Sequence, residues 1–194
     1  MINQKLIKTF IYIFITGYSV NYIFFTHRFF ERQNGFILGD WLINYSGGLS
    51  RRGLTGEILV NFAGFFNLNL IYTTLIFVSI IFILFLYFLI KLINNSNISF
   101  LTTIIIFSPA TLLFNIFDPL AIGRKEIIFF LFLLIYLELR DKLYINILLI
   151  PFSLFAMLTH ELFFLLIPFF FISRYLMNNE IKLKNFIFEI LILF

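Results

Sequence analysis

Several residue types and motifs that carry common chemistry are scarce or missing in this sequence. It contains no cysteine, which excludes disulfide bonds and thiolate metal sites. It contains only two histidines, and the residue four positions after His160 is Phe164, so the His-Glu-x-x-His pattern of zinc proteases is absent. Walker-type loops, dinucleotide-binding glycine patterns and nucleophile elbows are absent too. We therefore expect neither a metal ion nor an organic cofactor.

Charged residues are also scarce, and this scarcity indicates a membrane protein. Asp, Glu, Lys and Arg make up only 12% of the 194 residues, whereas hydrophobic residues make up 61% and the mean hydropathy is +1.02. Soluble domains contain about 25% charged residues. The net charge of +4 comes from short basic clusters between apolar runs, which argues against a nucleic-acid partner. The composition predicts an integral membrane protein in contact with the lipid bilayer.

The apolar runs predict an all-α, polytopic transmembrane helical bundle with about six spans. They cover residues 7–25, 70–93, 98–117, 127–139 and 144–175. The last run is too long for one span and has a proline on each side of residues 160–161, so we expect two short, kinked helices that meet there; one tilted helix is the alternative. We expect residues 1–194 to form a single membrane-embedded unit, with a long first outer loop at about 26–67. Residues 185–194 begin a further span without completing it, which predicts an N-terminal fragment of a larger protein.

A polar segment at residues 40–57, which we call the polar island, interrupts this apolar sequence. It contains the only tryptophan, four of the nine glycines, two adjacent arginines and two carboxylates. A glycine turn such as Gly47-Gly48 lets backbone N–H groups approach a ligand, and the guanidinium groups of Arg51 and Arg52 can fork onto phosphate or carboxylate oxygens. The polar island therefore predicts an anion site. The alternative is a turn between two membrane helices whose arginines are solvated or lie against lipid headgroups.

The expected topology brings this segment together with two others. Lys5 and Lys8 ahead of the first span place the N-terminus in the cytoplasm. Alternation through six spans then puts the polar island on the non-cytoplasmic face, together with Asp118, residues 123–126 and residues 160–161. Charged residues near membrane depth are costly and tend to face an interior or aqueous cavity, so we expect these groups to form one shared site.

Such a site combines groups that suit glycosyl transfer from a lipid-linked sugar. A carboxylate deprotonates the acceptor hydroxyl while basic residues stabilise the departing phosphate. The candidate catalytic carboxylates are Asp40, Glu57, Asp118 and Glu161. The candidate groups for binding phosphate or substrate are Arg51, Arg52, Arg124, Lys125, Trp41, Gly47, Gly48 and His160. Asp40 ranks first as the base, since the neighbouring ring of Trp41 could stack on a sugar.

Structural explanations compete for several of these residues. Asp118, which precedes a proline, is typical of a helix-ending turn. Arg124 and Lys125 could serve as an interfacial anchor, and the helix dipole accounts for Glu126 at the start of an apolar run. His160 could form a buried, hydrogen-bonded pair with its neighbouring carboxylate.

The polar island, followed by Gly123-Arg124-Lys125-Glu126 and His160-Glu161, resembles segments of polytopic proteins from bacterial surface-polysaccharide clusters. Over about residues 1–175 the chain is similar to O-antigen or capsule polymerases and to C-type integral-membrane glycosyltransferases. These families usually have ten or more spans, so the chain departs from them in length. The resemblance implies a location in the bacterial inner membrane and a polyprenyl-(pyro)phosphate-linked glycan as the substrate.

The resemblance also implies roles for residues of the polar island. In the glycosyltransferases a carboxylate of the first outer loop is the base, and Asp40 or Glu57 matches it by position. In the polymerases, outer-loop arginines engage the pyrophosphate, and Arg51 and Arg52 match these. Other polysaccharide-assembly membrane proteins would be its partners. Two other functions stay open: a transporter or flippase component that binds a lipid phosphate without chemistry, and an inactive truncated product.

Overall fold

The computed structural model describes residues 4–33, 35–48, 50, 52–98, 122–139 and 143–160, together with 163, 167, 168, 170 and 172. Over this part of the chain the regular secondary structure is entirely helical, which confirms the predicted all-α class. The helices are α1 (Gln4–Glu31), α2 (Ile37–Leu42), α3 (Leu54–Phe65), α4 (Leu70–Asn95), α5 (Glu126–Leu139) and α6 (Leu143–Thr159).

Two of these helices are long and apolar enough to cross a membrane, judged by length and composition. α1 has 28 residues and α4 has 26, so at about 1.5 Å per residue each exceeds the roughly 30 Å of a hydrocarbon core. They contain the predicted spans at 7–25 and 70–93. α5 and α6, with 14 and 17 residues, are shorter than the usual span of about 20. The described residues thus contain two candidate spans, and a bundle of six stays a prediction.

One face of α1 is buried along the whole helix. Its buried positions recur every three or four residues, as a stripe on one side of a helix requires. They are Ile7, Ile11, Ile15, Tyr18, Tyr22, Thr26 and Phe30. The outward face carries exposed apolar side chains such as Phe10 and Ile13, and α4 is divided in the same way, with Val78 buried and Ile80 exposed. Outward faces of this kind suit contact with hydrocarbon.

α1 and α4 are antiparallel neighbours. The ring of Tyr22 stacks on Phe82, with centroids 3.7 Å apart and planes 5° from parallel. The Nζ of Lys8, near the start of α1, donates a hydrogen bond of 2.8 Å to the carbonyl of Asn94, near the end of α4. We call the end of the bundle that holds the first turns of α1 and the last turns of α4 the basal end.

The opposite end of the bundle collects the remaining segments. α5 runs parallel to α4, because Lys91 and Glu138, each near the end of its helix, form an ion pair of 2.7 Å at the basal end. α5 therefore starts at the far end, where Gly123, three residues ahead of the helix, accepts a hydrogen bond from Trp41 of α2. α6 follows α5 after three residues and returns toward that end. We call this far end, with α2, α3, the start of α5 and the end of α6, the apical end.

The segment predicted as a long first outer loop, about 26–67, contains regular structure. α1 continues to Glu31, and α2 and α3 lie within the rest. One face of α3 packs on the bundle, through residues spaced one turn apart: Thr55, Gly56, Leu59 and Ala63. Its other face exposes Ile58, Phe62 and Phe65. α3 therefore has apolar residues on both its packed face and its exposed face.

α6 ends beside the junction that was predicted at residues 160–161, and the second helix predicted to meet it there stays a prediction. α6 contains Pro151 and continues past it to Thr159, and Phe163 N then donates to the His160 carbonyl at 3.0 Å. A proline removes one backbone hydrogen bond of the helix, and neighbouring bonds carry the helix through. Asp118, Glu161 and the incomplete span at 185–194 lie outside the described residues, as does nearly all of the predicted span at 98–117.

Candidate functional site

The chain between α2 and α3 folds around the carboxylate of Glu57. This residue lies in the first turn of α3, where a negative charge suits the helix dipole. Its Oε2 accepts a hydrogen bond from Tyr45 N at 3.1 Å, and its Oε1 accepts one from Asn61 Nδ2 at 3.0 Å. Both oxygens of this candidate base are therefore engaged, Oε2 in holding the loop to α3 and Oε1 in a bond within α3.

Glycines let the same loop lie directly against α3. A Cβ added at Gly56 would collide with the backbone carbonyl of Ile43, and one added at Gly53 would collide with the ring of Tyr45. Gly48 has φ +114°, a conformation that other residues rarely adopt. The fold of the loop itself therefore accounts for three of the four glycines in the polar island.

Trp41 joins α2 to the segment that precedes α5. Its side chain is fully buried, its Nε1–H donates to the carbonyl of Gly123 at 2.5 Å, and its ring meets Phe77 of α4 edge-on at 5.9 Å. Gly123 has φ +78°, so the accepting carbonyl belongs to a turn that favours glycine. A fully buried indole offers no face to a sugar. The structure therefore gives Trp41 a packing role, and the predicted stacking on a sugar stays a prediction.

Lys125 lies at the centre of the charged groups of the apical end. Its side chain is fully buried, and its Nζ donates to the backbone carbonyl of Arg52 at 3.0 Å. A buried ammonium group is costly unless it is paired. Attraction from Asp40 and Glu126 offsets part of that cost. The hydrogen bond joins the polar island to the start of α5, across 73 positions of sequence.

Two arginine–carboxylate pairs flank Lys125. Arg124 Nη2 lies 2.8 Å from Glu126 Oε1, and Arg52 Nη1 lies 3.8 Å from Asp40 Oδ1. The two arginine side chains are 32% and 36% exposed, whereas the carboxylate side chains are 20% and 14% exposed. The guanidinium groups can therefore meet a ligand at the surface while the carboxylates lie deeper.

His160 completes this group, which we call the apical cluster. Its members are Asp40, Arg52, Arg124, Lys125, Glu126 and His160. Burial lowers the pKa of Lys125 below its usual value, while Asp40 and Glu126 raise this pKa and Arg52 lowers it. Burial also lowers the pKa of His160, and both arginine–carboxylate pairs act on that pKa as well. The same charges thus control the protonation of Lys125 and His160.

One oxygen of each carboxylate in the apical cluster has no hydrogen-bond partner among the described residues. These atoms, Asp40 Oδ2 and Glu126 Oε2, are both buried. A buried acceptor left unsatisfied costs about 1–3 kcal/mol, and more when it is charged. Such an oxygen can accept a hydrogen bond from a hydroxyl group or take its proton. Each carboxylate therefore keeps a buried acceptor oxygen, which a ligand hydroxyl reaches only when the surrounding side chains move apart.

The structure brings together five of the residues that the sequence singled out: Asp40, Arg52, Arg124, Lys125 and His160. The predicted meeting of the polar island with residues 123–126 and His160 at one end is thus present. Gly47 and Gly48 form the exposed tip of the loop, away from these contacts. Arg51, Asp118 and Glu161 lie outside the described residues, so their predicted roles stay predictions.

Glu126 is the member of the apical cluster that the sequence placed in the shared site without ranking it as a catalytic or binding residue. The helix dipole is a sufficient explanation for a glutamate in the first turn of an apolar helix. The signal that could have found it is its neighbour Lys125, because a lysine that opens a buried segment needs carboxylates close by. Ion pairing with Arg124 and an unsatisfied second oxygen now make Glu126 a functional candidate.

Two further observations limit what function can be assigned to the chain. No family model, curated protein or solved structure matches this chain. Within the described ranges, no three His, Asp or Glu side chains form a group that could hold a metal ion. The geometry and chemistry of the apical cluster are therefore what indicates a function for this chain.

Proposed function

We propose that this chain is a membrane protein of bacterial surface-polysaccharide biosynthesis, which transfers or polymerises glycosyl groups carried on polyprenyl (pyro)phosphate. The observation that carries the proposal is the pair of unsatisfied carboxylate oxygens beside two partly exposed arginines. The arginines supply donors for a phosphate, and the carboxylates supply acceptors for a sugar hydroxyl. The two apolar helices of span length support a site at the surface of a membrane.

The proposed reaction divides between the arginines and one carboxylate. The guanidinium groups of Arg52 and Arg124 bind the phosphate of the donor. Asp40 takes the proton of the acceptor hydroxyl through Oδ2 as the hydroxyl oxygen bonds to the anomeric carbon. The bond between that carbon and the phosphate oxygen breaks, and the arginines stabilise the departing phosphate. Lys125 is a positioning residue, because its contact is with the Arg52 backbone.

We place the chain in the bacterial inner membrane as a multi-pass bundle of about six spans. The N-terminus and the basal end then lie on the cytoplasmic side, and the apical end faces the opposite side, where other polysaccharide-assembly proteins would meet it. The antiparallel order of α1 and α4 supports this alternation, as does the return of α6 to the apical end.

Cysteine labelling tests this placement, since the chain has no native cysteine. Ser46 at the apical end and Asn95 at the basal end are both exposed. Single cysteines at these positions should differ in intact cells treated with a membrane-impermeant thiol reagent, with labelling at Ser46 alone. Labelling at Asn95 without labelling at Ser46 would invert the proposed topology.

The chemical step is tested by Asp40→Asn, which keeps the size of the side chain and removes its basicity. Loss of a general base typically lowers a rate roughly 10²–10⁴-fold. Elongation of a lipid-linked oligosaccharide would be followed in membranes from cells that express the chain. Glu138→Gln is the matched control, because it neutralises a paired carboxylate at the basal end. Near-normal elongation by Asp40→Asn would exclude Asp40 as the base.

A transporter or flippase component is the non-enzymatic alternative. One observation favours it: each carboxylate of the apical cluster already has an arginine partner, so the cluster can hold a lipid phosphate without accepting a proton. Binding of polyprenyl phosphate separates the two functions. A wild-type chain that binds this lipid and never elongates the glycan would support the alternative.

A further inference from the structure

A second polar region lies on the outward face of α1, on the side opposite Thr26 and the apical cluster. An open groove of about 660 Å³ runs along this face over the last third of the helix. Its lower part is apolar and strongly exposed: Val20 is 64%, Ile23 60% and Phe24 58% exposed. This part of the groove therefore offers a surface for a hydrocarbon chain.

The upper part of the same groove is charged. It is lined by His27, Arg28, Glu31 and Arg32, all of them exposed. His27 Nδ1 lies 3.4 Å from Glu31 Oε2, an ion pair when the imidazole is protonated. Among the described residues, neither guanidinium group forms an ion pair. The groove thus changes along the helix from apolar to net positive.

We propose that this groove binds an anionic phospholipid of the surrounding bilayer. One acyl chain lies along Val20 and Phe24, and the phosphate contacts Arg28 and Arg32. The charges are complementary, since two arginines and one glutamate leave a net positive charge at this end of the groove. Guanidinium groups bind phosphate through paired hydrogen bonds.

The dimensions agree with this assignment. From Val20 to Arg32 the helix rises about 18 Å at 1.5 Å per residue. One leaflet contributes about 15 Å to the hydrocarbon core. A lipid whose chain lies against the apolar part therefore has its phosphate at the level of the two arginines. The proposed lipid site is separate from the apical cluster and does not depend on the reaction proposed for it.

Fluorescence quenching tests the lipid site on the full-length chain. Gly17 is an exposed position of α1, one turn below the groove, where an added Cβ meets no atom within 4 Å. Gly17→Cys would carry a fluorophore, and the protein would be placed in phosphatidylcholine nanodiscs. A small, equal mole fraction of lipid with brominated acyl chains would be added, either as phosphatidylglycerol or as phosphatidylcholine. Brominated phosphatidylglycerol should bind with about fivefold higher affinity than brominated phosphatidylcholine, as judged by quenching. Each basic residue near an anionic headgroup contributes about that factor, and Glu31 offsets the charge of one of the two arginines.

Two variants assign the selectivity to the groove. Arg28→Gln/Arg32→Gln should abolish the preference for phosphatidylglycerol. Lys5→Gln/Lys8→Gln removes the same charge from the other end of the same helix, about 22 Å below the groove, and should keep the preference. Equal quenching by both lipids in the parent protein would overturn the proposal. A preference that survives loss of both arginines, or disappears in the lysine control, would overturn it as well.

Discussion

The basal and apical ends of the bundle use the same residue types under different conditions. At the basal end, Lys91 and Glu138 form an ion pair of 2.7 Å, and the lysine side chain is 40% exposed. At the apical end, Lys125 is fully buried and Arg52 lies 3.8 Å from Asp40. Water therefore solvates the ammonium group of Lys91, whereas the ammonium group of Lys125 has lost its hydration.

The difference indicates which charged contacts stabilise the fold and which are suited to binding a ligand. A buried charge that is incompletely paired lowers stability, and removal of one partner lowers it further. The basal contacts join helices without this cost. Within the described part of the chain, Asp40 Oδ2 and Glu126 Oε2 at the apical end accept no hydrogen bond, and a ligand that donates hydrogen bonds would satisfy them.

The largest expected effect is a loss of stability on replacing Gly56, compared with Gly64 in the same helix. Gly56→Ala places a methyl group against the Ile43 carbonyl, so the loop of the polar island must move; the expected loss is about 3 kcal/mol or more in the free energy of unfolding. Gly64→Ala is the control, since its Cβ would meet nothing within 4 Å. Thermal unfolding in detergent would measure both. Equal melting temperatures would show that the loop does not pack on α3 as described.

The second prediction exchanges one basic residue type for the other at each end. Arg52→Lys keeps the charge and loses the forked donor geometry, so we expect about a tenfold loss of elongation, equivalent to one charge-assisted hydrogen bond. Lys91→Arg at the basal end should leave elongation unchanged. Both proteins should insert in the membrane at normal levels. Full elongation by Arg52→Lys would leave Arg52 the role of a headgroup anchor.

A pH-dependence distinguishes buried from exposed lysines. Burial lowers the pKa of Lys125 in the folded protein from the ordinary 10.5 to about 8. Between about pH 8 and pH 10.5 the unfolded chain therefore binds more protons than the folded one. The free energy of unfolding therefore rises with pH in that window, by at most about 1.4 kcal/mol per pH unit. In Lys125→Met this rise should be missing. Unfolding in detergent from pH 7 to pH 9.5 would compare the two slopes, and identical slopes would contradict the burial of Lys125.

The smallest effect is expected from the basal ion pair. Lys91→Gln removes the charge that faces Glu138, yet this ion pair contributes little because water already solvates the ammonium group of the lysine, which is 40% exposed. The melting temperature should stay within the error of the measurement. A clear drop would mean that the basal end is as sensitive to charge as the apical end, and the contrast between the two ends would be lost.

Hydropathy and proline placement predicted the features of the fold that depend on local sequence. The run at 70–93 became α4, because an uninterrupted apolar run ends at polar residues on both sides; Asn69 even caps the helix by accepting from Ile71 N and Tyr72 N. The end of a helix before His160 was also predictable. The contact between the polar island and residues 123–126 was predicted by counting spans. Successive spans cross the membrane in opposite directions, so the count tells which distant segments lie at the same end.

Features that depend on tertiary packing were not predictable from the sequence. From its sequence context, between an aspartate and a leucine, Trp41 could stack on a sugar or pack in the core. Its hydrogen bond to the Gly123 carbonyl shows that it packs in the core. The two carboxylates of the polar island look alike in sequence. The structure separates them, because Glu57 is used by the loop while one oxygen of Asp40 is left unsatisfied.

The burial of Trp41 also gives the chain an intrinsic optical probe. It is the only tryptophan, so indole fluorescence arises from one place in the molecule. Its N–H bond to Gly123 puts that place at the joint between α2 and the start of α5. A ligand that opens this joint would let water reach the indole and shift its emission to longer wavelength. A ligand that binds without opening it would leave the emission spectrum unchanged, so titration of the unlabelled protein distinguishes the two modes of binding.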